Sequence, residues 1–496
     1  MFLKRIPIAI VLIAVFAQPT LADVTVIKGF SIRPVGASPV GDNGNIYKLE
    51  ITPAKESYPA FKHRFTVPPH ETIPGNAITH YLRSLGERGL SRPWEYAEKE
   101  TDYKIHDWYS IKTKAEDIPM DKFKLCSKVF DGLINNHMSR ATLCRNVDWG
   151  LAVEDLKGPE TIGFLLPSVQ GTREMAQALQ IQIRLAIIEK RFDDAIDRLR
   201  MVHTLGQNVN ELGFLVSSLV GVAEVGIANE GTLMLISQDD APNLYWALAE
   251  LPVPVIDQRK SLRLESSMAI RMFPELMDLE NANYSKEKWK ALLSQYIEQA
   301  TELQGMVSNN ANIRQGPLFS FAAAMSGYGK AKNRLIESHG YEADTVKAMS
   351  VAQVLLTDAA LDIQFFSQQR EKAWHVPFEE SKKFDDAWEK ELALAESQLR
   401  LGAIVVGMFS PAVTAVRTAS TRAQARTNIL MAIESLRNHA ALHGTFPESL
   451  DELDLPVRAN PFTGKPFNYS LEADKAVLTF DEGNQSIQRY EISIKQ

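Results

Sequence analysis

The stretch REMAQALQIQIRLAIIEKRFDDAIDRLRMVHTLGQN, Arg173 to Asn208, decides the fold class. Met175, Leu179, Ile183 and Ala186/Ile187 recur every three to four residues, which puts them on one apolar stripe of a helix. Lys190-Arg191-Phe192 interrupts the stripe. Ala195/Ile196, Leu199 and Val202 resume it, and Asp193 stands where it caps the second helix. Two amphipathic helices with so short a break pack as an antiparallel hairpin.

Working outward, Leu212 to Ile236 is long and apolar enough to raise the question of a membrane span. Glu224, Asn229 and Glu230 argue for a buried core helix instead, because a charge at bilayer depth costs a few kcal/mol, on the order of 3. Glu224 is then either a buried acid with a raised pKa or, as such residues more commonly are, a side chain that faces solvent or pairs with a base. Leu251-Pro252-Val253-Pro254 cannot be helical, since each Pro removes an amide donor and restricts its predecessor. Helices resume through 256–280, 285–308, 327–338 and 342–373. The apolar run Leu401 to Val416 contains Pro411 and is too short to span a bilayer. Ser420 to His443 reads as a helix with Ile429, Ile433, Leu436 and Ala440 on one stripe, ended by Gly444. Phe467–Leu471, Lys475–Phe480 and Arg489–Ile494 read as three strands joined by turns. Upstream, Val24–Ile27 and Ile46–Ile51 read as short strands, and the helical pattern begins near Pro74.

The expected fold is therefore mainly α, built of helical hairpins. A short extended β segment (23–70) precedes helical regions 71–255 and 256–416, and a small α+β module (417–496) closes the chain. Leu185, the break and Asp194-Ala195-Ile196 resemble one tetratricopeptide-type hairpin, although no 34-residue period runs through the chain.

Met1 to Ala22 has a positive start (Lys4, Arg5), an apolar run from Ile6 to Ala17 and small residues at Thr20-Leu21-Ala22. This is the pattern of a secretory signal peptide, with cleavage expected after Ala22 and no stable membrane span thereafter, a retained anchor being the alternative. The expected location is periplasmic or secreted. Of 496 residues, 54 are Lys or Arg and 61 are Asp or Glu. A net charge of −7 without a dense basic run excludes nucleic acid as the natural partner. The chain has two cysteines, Cys126 and Cys144. In an oxidising compartment that even count and short spacing predict a disulfide, with two buried thiols or a metal pair as the alternatives.

Motifs that carry chemistry are sparse. No His-Glu-x-x-His, Gly-x-Ser-x-Gly or phosphate-binding glycine loop occurs. Ser285-Lys286-Glu287-Lys288 holds Ser-x-x-Lys, but Ser285 reads better as the N-cap of a helix carrying Trp289, Leu292 and Leu293. His439 and His443, four apart on a helix, present two imidazoles on one face, although His443 in the last turn reads better as a cation suited to the helix dipole. No third ligand is evident beside them. The aromatics Trp94, Tyr96, Tyr103, Trp108 and Tyr109 suit either a core or a stacking platform. No catalytic, cofactor-binding or metal-binding residue is assigned from the sequence, and no cofactor is expected.

The segment from Leu436-Arg437 through His443-Gly444-Thr445-Phe446-Pro447-Glu448-Ser449-Leu450 to Asn460-Pro461-Phe462-Thr463-Gly464-Lys465-Pro466-Phe467-Asn468-Tyr469 resembles the globular end of type II secretion pseudopilins. A pseudopilin's signal leads straight into a membrane helix, whereas here the signal is secretory and lies at the far end of the chain. The resemblance therefore implies a shared module and not a pilus-subunit role. Asn460-Pro461 stands where Asp-Pro is typical, so no metal role carries over. The whole chain is similar to a family of uncharacterised secreted bacterial proteins that end in this module. The matching stretches are Pro59–Phe65, Pro74–Ala77 with Tyr81-Leu82-Arg83, Cys144 to Gly150, and Pro242–Leu248 with Leu251-Pro252. That likeness implies export and a helical body, and no activity. Two functional expectations follow. One is an exported non-catalytic scaffold that binds envelope or surface proteins. The other is an exported hydrolase of unfamiliar pattern, with Glu224, His439, His443 and the aromatics near Trp108 as the places to look.

Overall fold

The computed structural model describes residues 25–27, 30–34, 45–85, 90–111, 113–152, 167–276, 279, 282–307, 325–481 and 487–495. Residues 1–22, where a signal peptide is expected, lie outside the described residues. The chain is mainly helical, with strands near both ends. The strands are β1 (Thr25–Ile27), β2 (Phe30–Pro34), β3 (Asn45–Ile51), β4 (Ile73–Asn76), β5 (Cys144–Asn146), β6 (Asn468–Glu472), β7 (Lys475–Asp481) and β8 (Ile487–Ile494). The longer helices are α1 (Ala77–Leu85), α2 (Ser91–Thr101), α3 (Met120–Val129), α4 (Pro167–Ile188), α5 (Phe192–Asn210), α6 (Leu215–Ile236) and α7 (Arg259–Arg271). They continue with α8 (Lys286–Val307), α9 (Tyr328–Glu337), α10 (Val351–Glu371), α11 (Phe378–Ser397) and α12 (Leu401–His443).

The stripes of the Arg173–Asn208 stretch meet as α4 against α5, with Met175, Leu179, Ile183, Leu199 and Val202 all buried. Lys190 takes a left-handed φ of 56°, and the Arg191 N–H reaches back to the Ala186 carbonyl, which ends α4 abruptly. Arg191, not Asp193, is the N-cap residue of α5. Asp193 and Asp194 sit in its first turn instead, where carboxylates favour the positive end of the helix dipole.

Helix α6 is apolar all round because it lies inside, packed on α4, α5 and α12. It and α12 are long and apolar enough to cross a membrane by length and composition. Helices α5 and α6 approach closely at two glycines. A Cβ on Gly221 would stand 2.5 Å from the Gly206 carbonyl oxygen, and one on Gly206 would stand 2.9 Å from the Gly221 carbonyl oxygen. Gly221→Ala is therefore expected to force the helices apart and lower stability by about 1–3 kcal/mol. Gly226→Ala, where a Cβ meets nothing within 4 Å, is expected to be neutral or to gain up to about 1 kcal/mol from helix propensity. Urea unfolding of both variants checks this, and equal stabilities would refute the close contact.

Three of the C-terminal strands and three N-terminal strands form one sheet, ordered β1-β2-β3-β8-β7-β6. Its centre is a parallel pair from opposite ends of the chain, with Asn45 opposite Gln488 and Ile51 opposite Ile494. Tyr47 stacks on Tyr490 directly across that pair at 4.5 Å. Leu49, Ile51, Tyr490 and Ile492 are buried and share a core with Ile429, Ile433, Leu436 and Ala440 of α12. The N-terminal strands are thus part of the same sheet as the C-terminal module.

A second core gathers Trp289, Leu292 and Leu293 of α8, Val354, Leu355 and Phe366 of α10, and Trp388 of α11. Two buried ion pairs edge it, Arg334 with Asp358 and Arg400 with Asp362. The two apolar runs expected to be separate, Leu401–Val416 and Ser420–His443, form one continuous helix of 43 residues. At 1.5 Å per residue α12 is roughly 65 Å long. Its first turns pack in the second core, and its last five turns pack in the first. It crosses residues 416 and 417 without a break.

Candidate functional site at the end of the long helix

The last turns of α12 collect the motifs that stood out in the sequence. Arg437 and Glu434 are fully buried and paired at 2.9 Å. The Arg437 guanidinium also donates to the carbonyls of Thr52 (3.1 Å), Ala241 (2.9 Å) and Pro242 (3.3 Å). Glu434 accepts the Leu244 N–H at 3.1 Å, and burial pushes its carboxyl up while Arg437 pulls it back. Asn243 donates to the carbonyls of Ala54 and Glu434, tying three distant segments at one point. One turn on, Asn438 accepts the Glu56 N–H at 2.9 Å.

These bonds fix the segment 52–66 against the loop 241–250. Ser57 donates to the Asn243 carbonyl, and the amides of Phe65 and Thr66 donate to Glu250 at 2.7 and 2.9 Å. Between those anchors the chain turns outward. Tyr58 is 95% exposed and Phe61 44% exposed. Phe61 leans on Trp246 with ring centroids 5.9 Å apart, and the Arg64 guanidinium lies over the Phe61 ring at 4.5 Å. Trp246 donates its indole N–H to Glu56 at 2.6 Å. The result is an outward-facing aromatic surface on a loop held at both ends.

On the same helix, Ser435, His439 and His443 follow one another at i, i+4 and i+8 and so share a face. Helix α12 ends at Gly444, whose φ of 80° suits glycine. A 3-10 turn at Leu450–Glu452 then returns the chain along that face. Ser435 donates to the Leu455 carbonyl at 2.6 Å, and Tyr245 donates to the Pro456 carbonyl at 2.6 Å. The neighbouring Asp454 is thereby held 3.5 Å from both His439 Nδ1 and His443 Nε2. The sequence offered the two histidines; their acidic neighbour, a residue in a turn eleven positions downstream of His443, left no local signal.

The other places singled out in the sequence lie elsewhere. Glu224 is buried between helices, and burial pushes it up to about 8 while a Thr172 hydrogen bond and the Arg173 charge pull it back. Thr172, Arg173 and Tyr81 surround it. Trp94, Trp108 and Tyr109 are core residues, while Tyr96 and Tyr103 are exposed. Ser285 accepts the Lys288 N–H at 3.2 Å, as an N-cap does. The expected Cys126–Cys144 disulfide is absent, and both residues are buried free thiols. Cys126 lies on α3 and donates weakly to the Ala97 carbonyl on α2, whereas Cys144 begins β5 and faces Gly75 of β4. The two side chains serve different contacts, so short spacing in sequence does not bring them together.

Two clefts mark the described surface. One of about 510 Å³ between α7 and α10 is lined by Arg263, Ser267, Gln364, Ser367 and Glu371, with Arg263 paired to Glu371. The other, about 340 Å³ beside α4 and α5, is lined by Lys124, Asp131, Gln182, Asp194 and Arg198. Asp131 there accepts from Gln182, and Asp194 pairs with Arg191. Neither cleft includes Glu224 or a histidine. Comparison of the chain with protein-family models, curated proteins and solved structures finds no match.

Proposed function

We propose that this protein is an exported, non-catalytic helical scaffold that binds other proteins of the cell envelope through the Tyr58–Phe61–Trp246 surface. The observation that carries the reading is that aromatic surface itself. Tyrosine, tryptophan and arginine are the side chains most often found at the energetic centres of protein interfaces. Here Tyr58 and Phe61 project from a loop anchored through Ser57, Phe65 and Thr66, so little conformational freedom is lost on docking. The helical body supplies a rigid mount, and the Met1–Ala22 pattern supports export to the periplasm or beyond.

The test is site-specific photocrosslinking in cells, with the reactive residue placed at Tyr58 and, as a control, at Leu394, an exposed residue on α11. The expected result is one defined envelope protein captured from position 58, not from 394, with capture abolished by Phe61→Ser and by competition with purified wild-type protein. Equal labelling from both positions, or none from position 58, would overturn the reading in favour of the exported hydrolase.

A further inference from the structure

We propose that His439, His443 and Asp454 form a binding site for a divalent transition cation of the zinc type. The three ligand atoms all lie within 4.8 Å of one another. For metal–ligand bonds near 2.0–2.1 Å, tetrahedral geometry separates ligand atoms by about 3.3–3.4 Å. The Asp454 carboxylate stands 3.5 Å from each imidazole nitrogen, close to that edge length.

A second observation points the same way. His439 is 8% exposed, and its Nδ1 is buried with no hydrogen-bond partner among the described residues. A buried ring nitrogen without a hydrogen bond is costly, and a cation between it and the facing carboxylate removes that cost. The two rings lie side by side, 4.2 Å between centroids and tilted by 35°.

The donor set selects the ion. Two imidazoles and one carboxylate suit zinc, nickel or copper and disfavour magnesium and calcium, which take oxygen ligands. The mount is stiff, because Ser435 and Tyr245 hold the backbone on the C-terminal side of Asp454. Three protein ligands leave a coordination position open, on the side where His443 and Asp454 are exposed. A water molecule or an anionic group would take it. The inference does not depend on the aromatic surface.

Untagged protein, stripped with EDTA and dialysed, is titrated with ZnCl₂ by calorimetry. One Zn²⁺ per chain is expected, with affinity reduced at least tenfold in His443→Ala and in Asp454→Asn. Both substitutions alter exposed side chains, so both variants are expected to keep the wild-type circular dichroism. Replacing Zn²⁺ by Co²⁺ should give a visible ligand-field band in wild type that neither variant shows, and Mg²⁺ should give no heat. No zinc binding by the wild type, or equal binding by wild type and both variants, would overturn the site and leave Asp454 as a simple ion-pair partner of the two histidines.

Discussion

Replacing Arg437 with methionine is expected to lower the unfolding free energy by about 3–5 kcal/mol, the cost of stranding one partner of a buried ion pair. The variant leaves Glu434 fully buried without its cation. It also removes the donors that satisfy the carbonyls of Thr52, Ala241 and Pro242. A stability of 5–15 kcal/mol is typical of a folded domain, so roughly a third of that margin is at stake. The double variant Arg437→Met with Glu434→Leu should recover part of the loss, since an apolar pair of similar volume replaces a buried ion pair at little net cost. Recovery is incomplete because the three carbonyls and the Leu244 amide still lack partners. Urea unfolding followed by circular dichroism gives the three free energies and their coupling. A loss under about 1 kcal/mol in the single variant would mean that the clamp does not hold the chain ends together. Limited proteolysis should show the segment 52–66 cut earlier in the variant, because its attachment to α12 runs through this point.

The helices were legible in the sequence because their periodicity is local. Met175 to Ile187 and Ile429 to Ala440 mark their buried faces within a few turns, and both faces are buried in the structure. The C-terminal strands were legible for the same reason. The central pairing of β3 with β8 was not, since a parallel register between opposite ends of a chain leaves no mark in either segment. The clamp was equally hidden. Nothing in the local sequence marks Glu434 and Arg437, three apart on a helix, as buried, and only carbonyls supplied by remote loops make their burial tolerable. Of the histidine cluster, the helical spacing revealed two members and the return turn supplied the third. The cysteines show the opposite failure, where proximity in sequence and an even count suggested a bond that the packing of α3 and β5 does not make.

Two buried groups, Glu224 and His203, should also act on stability from opposite sides of neutral pH. Burial raises Glu224 from 4.5 to about 8, so the folded chain keeps a proton that the unfolded chain releases. Its contribution is therefore full below pH 4.5 and is lost as pH rises through about 8. His203 is the mirror case. It is fully buried beside Phe65, neither ring nitrogen has a hydrogen-bond partner among the described residues, and burial lowers it from 6.5 to about 3. The unfolded chain binds a proton that the folded chain refuses, so stability is lost as pH falls from 6.5 through about 3. Each displacement corresponds to on the order of 5 kcal/mol across its window, and the two slopes cancel where the windows overlap. Glu224→Gln keeps the shape of the side chain and removes the alkaline limb. Relative to its difference from wild type at pH 4, the variant should gain roughly 3–5 kcal/mol by pH 8. His203→Phe should flatten the acidic limb in the same way. Urea midpoints measured from pH 4 to pH 9 decide the matter, and parallel profiles for wild type and Glu224→Gln would show that Glu224 is ionised in the folded protein.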